Sequence, residues 1–133
     1  MADIQRWGNP ASYDPIWTQR SRIIARYLRD CSSVVDLGAG TQTLRPLIKG
    51  RYIPVDMVSL GPDTVLVNFD EPWTTEDLPD ADGYAIAGLL EHVRDPLALS
   101  SRLAPLGRVW AVSYMDRTTL HSEPLLKLRE LEA

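Results

Sequence analysis

Hydrophobic and polar positions first form a clear pattern just after residue 13, where apolar side chains begin to recur at helical spacing. Asp14 followed by Pro15 is typical of a helix N-cap with proline in the first turn. The pattern after them predicts an amphipathic helix. Its recurring positions are Ile16, Trp17, Arg20, Ile23, Ile24, Tyr27 and Leu28. We interpret the arginines of this helix as its solvated face.

Five short apolar runs, rich in β-branched residues, predict five strands. They span residues 33–37, 51–58, 64–69, 84–90 and 108–114. Uninterrupted runs of this length are typical of strands that are buried on both faces of a parallel sheet. Residues 41–49 predict a short helix, Asp95 with Pro96 begins another, and residues 122–132 predict a helix that closes the chain.

The alternation of strands and helices predicts an α/β fold, doubly wound around a mostly parallel sheet of about five strands with right-handed crossovers. The 133 residues, 44% of them hydrophobic, suit one compact domain. We expect residues 1–30 to form an N-terminal arm and helix, and residues 31–133 to form a ligand-binding core.

Charge and cysteine content argue against several function classes. The net charge is -4 with 24% charged residues, which does not suit a protein that binds bare nucleic acid. Cys31 is the single cysteine, and no Cys/His spacing resembles a zinc site. We therefore expect no metal, a buried Cys31 and a reducing, cytoplasmic location. No stretch approaches the roughly 20 apolar residues that span a bilayer, so we expect no membrane association.

The clearest candidate for chemistry is the end of the first strand. Asp36, Gly38 and Gly40 lie there, and two glycines let the backbone turn sharply where a ligand approaches. Asp56 lies at the end of the next strand, 20 residues after Asp36. That separation is typical of a carboxylate that binds the ribose hydroxyls of a nucleoside ligand. A tight turn without a ligand is the plainer alternative.

Two details bear on which nucleoside would bind. Thr43 stands where a dinucleotide-binding loop has its last glycine or alanine, so that motif is incomplete. Asp36 also places a carboxylate before the glycines, where a pyrophosphate needs neutral amides and a helix N-terminus. A carboxylate suits a cationic, phosphate-free ligand such as S-adenosylmethionine. No P-loop sequence occurs.

Four segments, in order, resemble the motifs of class I S-adenosylmethionine-dependent methyltransferases of the small-molecule type. They are VVDLGAG at 34–40, YIPVDM at 52–57, NFD at 68–70 and AGLLEHVRDP at 87–96. The resemblance covers roughly residues 33 to 114 and implies a Rossmann-like fold with a cofactor-binding core. It implies an enzyme, a transferase that moves a methyl group from S-adenosylmethionine to a small molecule.

The resemblance also implies roles for individual residues. The methionine part of the cofactor would contact Asp36, Gly38, Ala39 and Gly40, and the ribose would bind Asp56. The adenine would lie by Met57, Phe69 and Asp70, and the floor below the sulfonium would be Ala87, Gly88 and Leu89. Glu91 and His92 would lie where substrate enters, as candidate catalytic residues. From their position in the chain, Tyr13 and Trp17 would close over the cofactor.

Plainer interpretations stand beside these roles. Asp70 is also compatible with a solvated turn before Glu71, and His92 with a hydrogen-bonded packing residue. The tryptophans are interpreted as core or lid residues rather than as a platform for nucleic-acid bases, because no basic stripe accompanies them.

The sequence departs from the family pattern in two places. Gln42 stands where a third glycine is usual, so the loop is expected to be shaped differently while its backbone amides still serve a ligand. The family also adds a C-terminal antiparallel hairpin after the fifth strand, and the chain stops at Ala133. An unpaired edge at residues 108–114 invites a partner, so we expect a homodimer, or a second subunit that covers this edge.

Three functions remain open at this point. The first is methyl transfer to a small-molecule acceptor, with Glu91 or His92 available as a base. The second is a catalytically inactive S-adenosylmethionine-binding or scaffold protein, which the missing hairpin and Gln42 favour. The third is a nicotinamide-dependent dehydrogenase.

Overall fold

The computed structural model describes Gly8 and residues 17–113 of the chain. These residues form two α-helices, five strands and three short 3-10 turns. The helices are α1 (Trp17–Tyr27) and α2 (Pro96–Leu103); the strands are β1 (Ser33–Leu37), β2 (Arg51–Asp56), β3 (Val65–Leu66), β4 (Gly83–Ala87) and β5 (Val109–Ser113); the 3-10 turns are Arg45–Leu47, Thr75–Asp77 and Leu90–His92.

The five strands form one parallel sheet in the order β3-β2-β1-β4-β5. In the centre, β1 pairs with β2 from Ser33 opposite Arg51 to Leu37 opposite Val55. On its other side β1 pairs with β4. This arrangement confirms the predicted α/β, Rossmann-like fold. The strand order reverses between β1 and β4, and in such sheets the crevice for a ligand lies beyond the carboxyl ends of the strands at that point.

Alternate residues of the central strands face two separate cores, as the pleat of a strand requires. Val35 and Leu37 belong to a cluster that includes Leu99 and Leu103 of α2. Val34 belongs to the opposite cluster, with residues of α1 such as Ile24. The sheet is therefore covered on both faces, which explains why its strands read as continuous apolar runs.

The predicted helix over residues 41–49 is wrong. The chain there makes turns and a single 3-10 turn, Arg45–Leu47. Gln42 has a φ of 61°, a left-handed conformation that interrupts a helix, and Pro46 cannot donate a helical hydrogen bond.

Three strands end earlier than predicted. The third contains only Val65–Leu66, the second ends at Asp56, and the fourth ends at Ala87, after which Leu90–His92 forms a 3-10 turn. Apolar side chains continue beyond these ends because the loops also pack on the core, so hydrophobicity alone overestimates the strand lengths.

The predicted start of the second helix is confirmed. Asp95 is its N-cap, and its carboxylate accepts a hydrogen bond from the Ala98 amide at 3.0 Å, with Pro96 in the first turn. The cap predicted at Asp14 and the helix predicted over 122–132 lie outside the described residues. Within the described segment, no helix is both long and apolar enough to span a membrane.

Candidate functional site

A cavity of about 280 Å³ opens at the carboxyl ends of the central strands. It lies where the reversal of strand order predicts a ligand crevice. Most of the candidate residues from the sequence line it, namely Asp36, Gly38, Ala39, Asp56, Met57, Phe69, Asp70, Ala87, Gly88, Leu89, Glu91 and His92. Gly40 is not among the lining residues, although its amide binds one of them.

Three backbone amides of the glycine loop donate hydrogen bonds to β2. The Gly38 and Ala39 amides both donate to the carbonyl oxygen of Val55, at 2.8 and 3.1 Å. The Gly40 amide donates to Oδ2 of Asp56 at 2.7 Å. The φ angles of 77° at Gly38 and 55° at Gly40 allow this path. In this structure β2 binds these three amides, and the expectation that backbone amides of this loop serve a ligand stays a prediction.

Asp36 is a buried carboxylate near the end of β1, with 3% of its surface exposed. The hydroxyl of Tyr52 on the neighbouring strand donates a hydrogen bond to it. Burial raises the pKa of Asp36 to about 6, against the opposing effects of the Tyr52 hydrogen bond and the nearby Arg20 charge. A cationic ligand would offset the free-energy cost of burying the ionised carboxylate.

Asp56 ends β2 and faces the same cavity. Besides the Gly40 amide on Oδ2, the amide of Met57 donates to Oδ1 at 2.7 Å. Burial raises the pKa of Asp56, and the hydrogen bonds from Gly40, Met57 and Val58 oppose that rise. Asp56 thus shapes the glycine loop as well as facing the cavity. A carboxylate has about four acceptor positions, so these bonds leave acceptor capacity.

Gln42, the departure from the family's third glycine, points away from the cavity. Its side-chain amide donates to the carbonyl oxygen of Pro62 at 2.8 Å and to the hydroxyl of Thr64 at 3.1 Å. Its side-chain oxygen accepts from Nε of Arg45 at 2.7 Å. Gln42 therefore adopts the left-handed conformation that a glycine would provide and ties this loop to residues 61–64.

Aromatic and carboxylate groups form the part of the cavity beyond β2. Phe69 lies edge-on to Trp73, with ring centroids 5.0 Å apart. Oδ1 of Asp70 accepts from the Arg94 amide at 2.8 Å. Asp70 therefore connects the loop after β3 with the loop after β4, which is a structural role that the sequence did not indicate. Its predicted adenine contact stays a prediction.

Glu91 and His92 lie in the 3-10 turn directly after β4, and both are half-buried. The position after a strand end brings them to the cavity wall. Asp56 ends β2, whereas Glu91 and His92 follow β4. Because β1 lies between these two strands, the pair lies on the opposite side of the cavity from Asp56.

Sequence reasoning missed Arg20 as a site residue. The solvated-face interpretation of the helix arginines is wrong here, because Arg20 of α1 lines the cavity. The helical pattern indicated that Arg20 faces inward, because Arg20 recurs at the same spacing as the apolar positions. Trp17 also lines the cavity, while Tyr13 lies outside the described residues.

The charged groups of the lining are mostly acidic. Among the described lining residues there are four carboxylates, at Asp36, Asp56, Asp70 and Glu91, and one guanidinium, at Arg20. Over the described part of the chain, no group of three or more His, Cys, Asp or Glu residues could hold a metal ion. The lining suits an organic ligand with positive charge.

Comparisons with protein-family models, with curated proteins and with solved structures give no match for this chain.

Proposed function

We propose that the chain binds S-adenosylmethionine in this cavity and transfers its methyl group to a small-molecule acceptor. The observation that carries the proposal is the pairing of Asp36 and Asp56 on neighbouring strand ends of one cavity, beside a glycine loop whose amides face β2. Two carboxylates suit a ribose diol and a cationic tail.

The same geometry weighs against the nicotinamide alternative. A dinucleotide places its pyrophosphate on free backbone amides at a helix N-terminus. Here the amides of Gly38, Ala39 and Gly40 have partners within the protein, and the segment that follows is not an α-helix. A pyrophosphate would also lie against the carboxylate of Asp36.

Each of these residues has a separate role in binding the cofactor. Asp56 accepts from the ribose hydroxyls, and Met57 and Phe69 provide apolar surface for adenine. Asp36 provides negative charge beside the cationic part. Gly38 and Gly88 line the cavity, and a Cβ at Gly38 would lie 3.2 Å from Cβ of Leu89.

When bound, S-adenosylmethionine supplies an activated methyl group on its sulfonium. The chain chiefly has to hold an acceptor atom in line with that methyl group, because positioning provides much of the rate in such reactions. A hydroxyl acceptor must also lose a proton. His92 or Glu91, at the cavity wall after β4, would accept it.

Calorimetric titration with S-adenosylmethionine, S-adenosylhomocysteine and NAD tests the proposal. We expect the two adenosyl ligands to bind and NAD not to bind. Binding of NAD alone would contradict the proposal. Binding of S-adenosylmethionine without turnover on hydroxyl and amine acceptors would favour the inactive scaffold.

We also propose a partner chain at the β5 edge. Among the described strands β5 pairs with β4 alone, so the residues Val109–Ser113 have one strand neighbour. A homodimer is the simplest closed assembly for such an edge. Light scattering after size exclusion should give twice the chain mass at micromolar concentration, and a strictly monomeric mass would refute the dimer.

A further inference from the structure

The guanidinium of Arg20 is a half-buried positive charge at the cavity. Its Nε is buried and has no hydrogen-bond partner among the described residues. None of the ion pairs found between described residues includes it. Burial lowers the pKa of Arg20, although arginine stays charged in proteins. Such a charge is costly to bury, and it faces the cavity rather than the core.

Two neighbours hold Arg20 in this position. Its guanidinium lies 5.3 Å from the ring centroid of Trp17, within range of a cation–π interaction. It also lies against Gly88, where a Cβ would come within 2.5 Å of Nη1. A side chain at position 88 would occupy the space of the guanidinium. The glycine therefore makes room for Arg20.

The helix that carries Arg20 is itself anchored to the site. The hydroxyls of Ser21 and Thr43 are 2.9 Å apart, so the residue after Arg20 is bonded to the segment that follows the glycine loop. Arg20 is thus placed before any ligand arrives, and preorganisation of this kind lowers the entropic cost of binding.

The surroundings of Arg20 combine both signs of charge. Glu91 and Asp36 are close enough to stabilise its charge, although burial has the larger effect on its pKa. A guanidinium next to carboxylates in one cavity matches a ligand that carries both a carboxylate and an ammonium. The α-amino acid group is the common chemical group of that kind.

We propose that Arg20 binds the carboxylate of the cofactor's methionine part while Asp36 faces its ammonium, so that the site selects nucleosides with a zwitterionic amino-acid end. This inference rests on the proposed function. It makes Arg20 a specificity-determining residue, because a guanidinium binds a carboxylate through two parallel hydrogen bonds.

A pair of ligands that differ in one group provides the first test. S-adenosylmethionine and its decarboxylated form share the adenosine, the sulfonium and the amine, and calorimetry gives both affinities. We expect the wild-type chain to bind the decarboxylated ligand about 10-fold to 100-fold more weakly, as expected for lost charged hydrogen bonds. Equal affinities would overturn the role of Arg20 while leaving the proposed function intact.

Variants at two positions of α1 provide the second test. Arg20→Met should weaken S-adenosylmethionine to about the affinity of the decarboxylated ligand and abolish the discrimination. Arg20→Lys should keep part of it, because lysine retains the charge but not the two parallel bonds. Arg22→Met, at an exposed position of the same helix, should behave like the wild type.

Melting temperatures separate binding from folding. Arg20→Met removes the cost of a half-buried cation but also the charge that opposes the raised pKa of Asp36, so its melting temperature should stay within a few degrees of the wild-type value. Discrimination that persists in a folded Arg20→Met variant would refute the proposal. Failure of the wild-type chain to bind either ligand would instead refute the proposed function, and this inference with it.

Discussion

Asp36 and Asp82 lie at opposite ends of the neighbouring strands β1 and β4, and they differ in burial and in the number of hydrogen bonds that they accept. Asp36, near the carboxyl end of β1, is buried with one hydrogen bond from Tyr52, and burial raises its pKa to about 6. Asp82 directly precedes β4 at the amino end of the sheet. It accepts from the amide and hydroxyl of Ser32 and from Arg108, which together lower its pKa.

The comparison shows which end of the sheet is built for stability. The backbone carbonyl of Asp82 also accepts from the amides of Arg108 and Val109, and its amide donates to the hydroxyl of Ser33. Asp82 thus joins the starts of β1, β4 and β5. Groups that destabilise a fold without such compensation concentrate at functional sites. The carboxyl end of the sheet, where Asp36 is buried, contains a group of this kind.

The largest effect on activity is expected at His92. With a hydroxyl acceptor, His92→Ala should lower the methylation rate by about 100-fold or more and shift or abolish the acidic limb of the pH profile, if His92 is the base. Rates measured across pH provide the check. Asp82→Asn, at the other end of the sheet, should keep the wild-type profile. A normal rate and profile in His92→Ala would remove that role.

Asp56 should show the next largest effect. Asp56→Asn retains an oxygen for the Gly40 amide but replaces the other acceptor with a donor, so the bond to the Gly40 amide is kept while the bond from the Met57 amide and a ribose contact are lost. We expect the affinity for S-adenosylmethionine, measured by calorimetry, to fall roughly 10-fold to 100-fold. Asp56→Ala should lose more, because the Gly40 amide also loses its partner. Unchanged affinity in both variants would exclude Asp56 from the site.

Substitution of Asp36 by asparagine should raise the stability of the fold and weaken ligand binding. The pKa of Asp36 rises from 3.8 to about 6 on folding, so its contribution to stability is fully present below pH 3.8 and is lost as pH rises through 6. At pH 7 the ionised group opposes folding, and Asp36→Asn should raise the free energy of unfolding by about 1 to 3 kcal/mol. Denaturant melts at pH 4 and pH 7 measure this difference.

The same substitution should weaken the binding of a cationic ligand. In the wild-type chain, affinity for S-adenosylmethionine should decline as pH falls through about 6, because protonation removes the negative charge of Asp36. In Asp36→Asn that decline should disappear. An Asn variant that is less stable at pH 7 and binds normally would reverse the comparison between the two ends.

Asp82 should show the smallest effect and the opposite sign. Its folded pKa is lowered, so its contribution is present above the unfolded pKa of about 3.9 and is lost as pH falls through the lower folded value. Asp82→Asn should reduce the melting temperature by a few degrees at pH 7 and flatten the loss of stability in acid. Ligand affinity should stay unchanged. A loss of affinity without a loss of stability would contradict the comparison.

Much of the fold follows from local pattern. Apolar runs such as 33–37 locate a strand because a segment buried on both faces needs a continuous apolar sequence. Asp95 and Pro96 locate a helix start because capping depends only on neighbouring residues. Residues 41–49 could not be predicted in the same way. Their conformation depends on bonds from Gln42 to residues about 20 positions away.

The sequence by itself determined which chemical groups meet at the carboxyl end of the sheet. The carboxyl ends of parallel strands lie at the same edge of a sheet. Once the strands are recognised in the sequence, Asp36, Asp56 and the Glu91–His92 pair are therefore expected to lie close together. Only the tertiary structure decided how those groups are used. It turned the glycine-loop amides toward Val55, bonded Tyr52 to Asp36 and brought Arg20 from the first helix against Gly88. These contacts join residues far apart in the chain, and long-range packing, rather than local preference, sets their geometry.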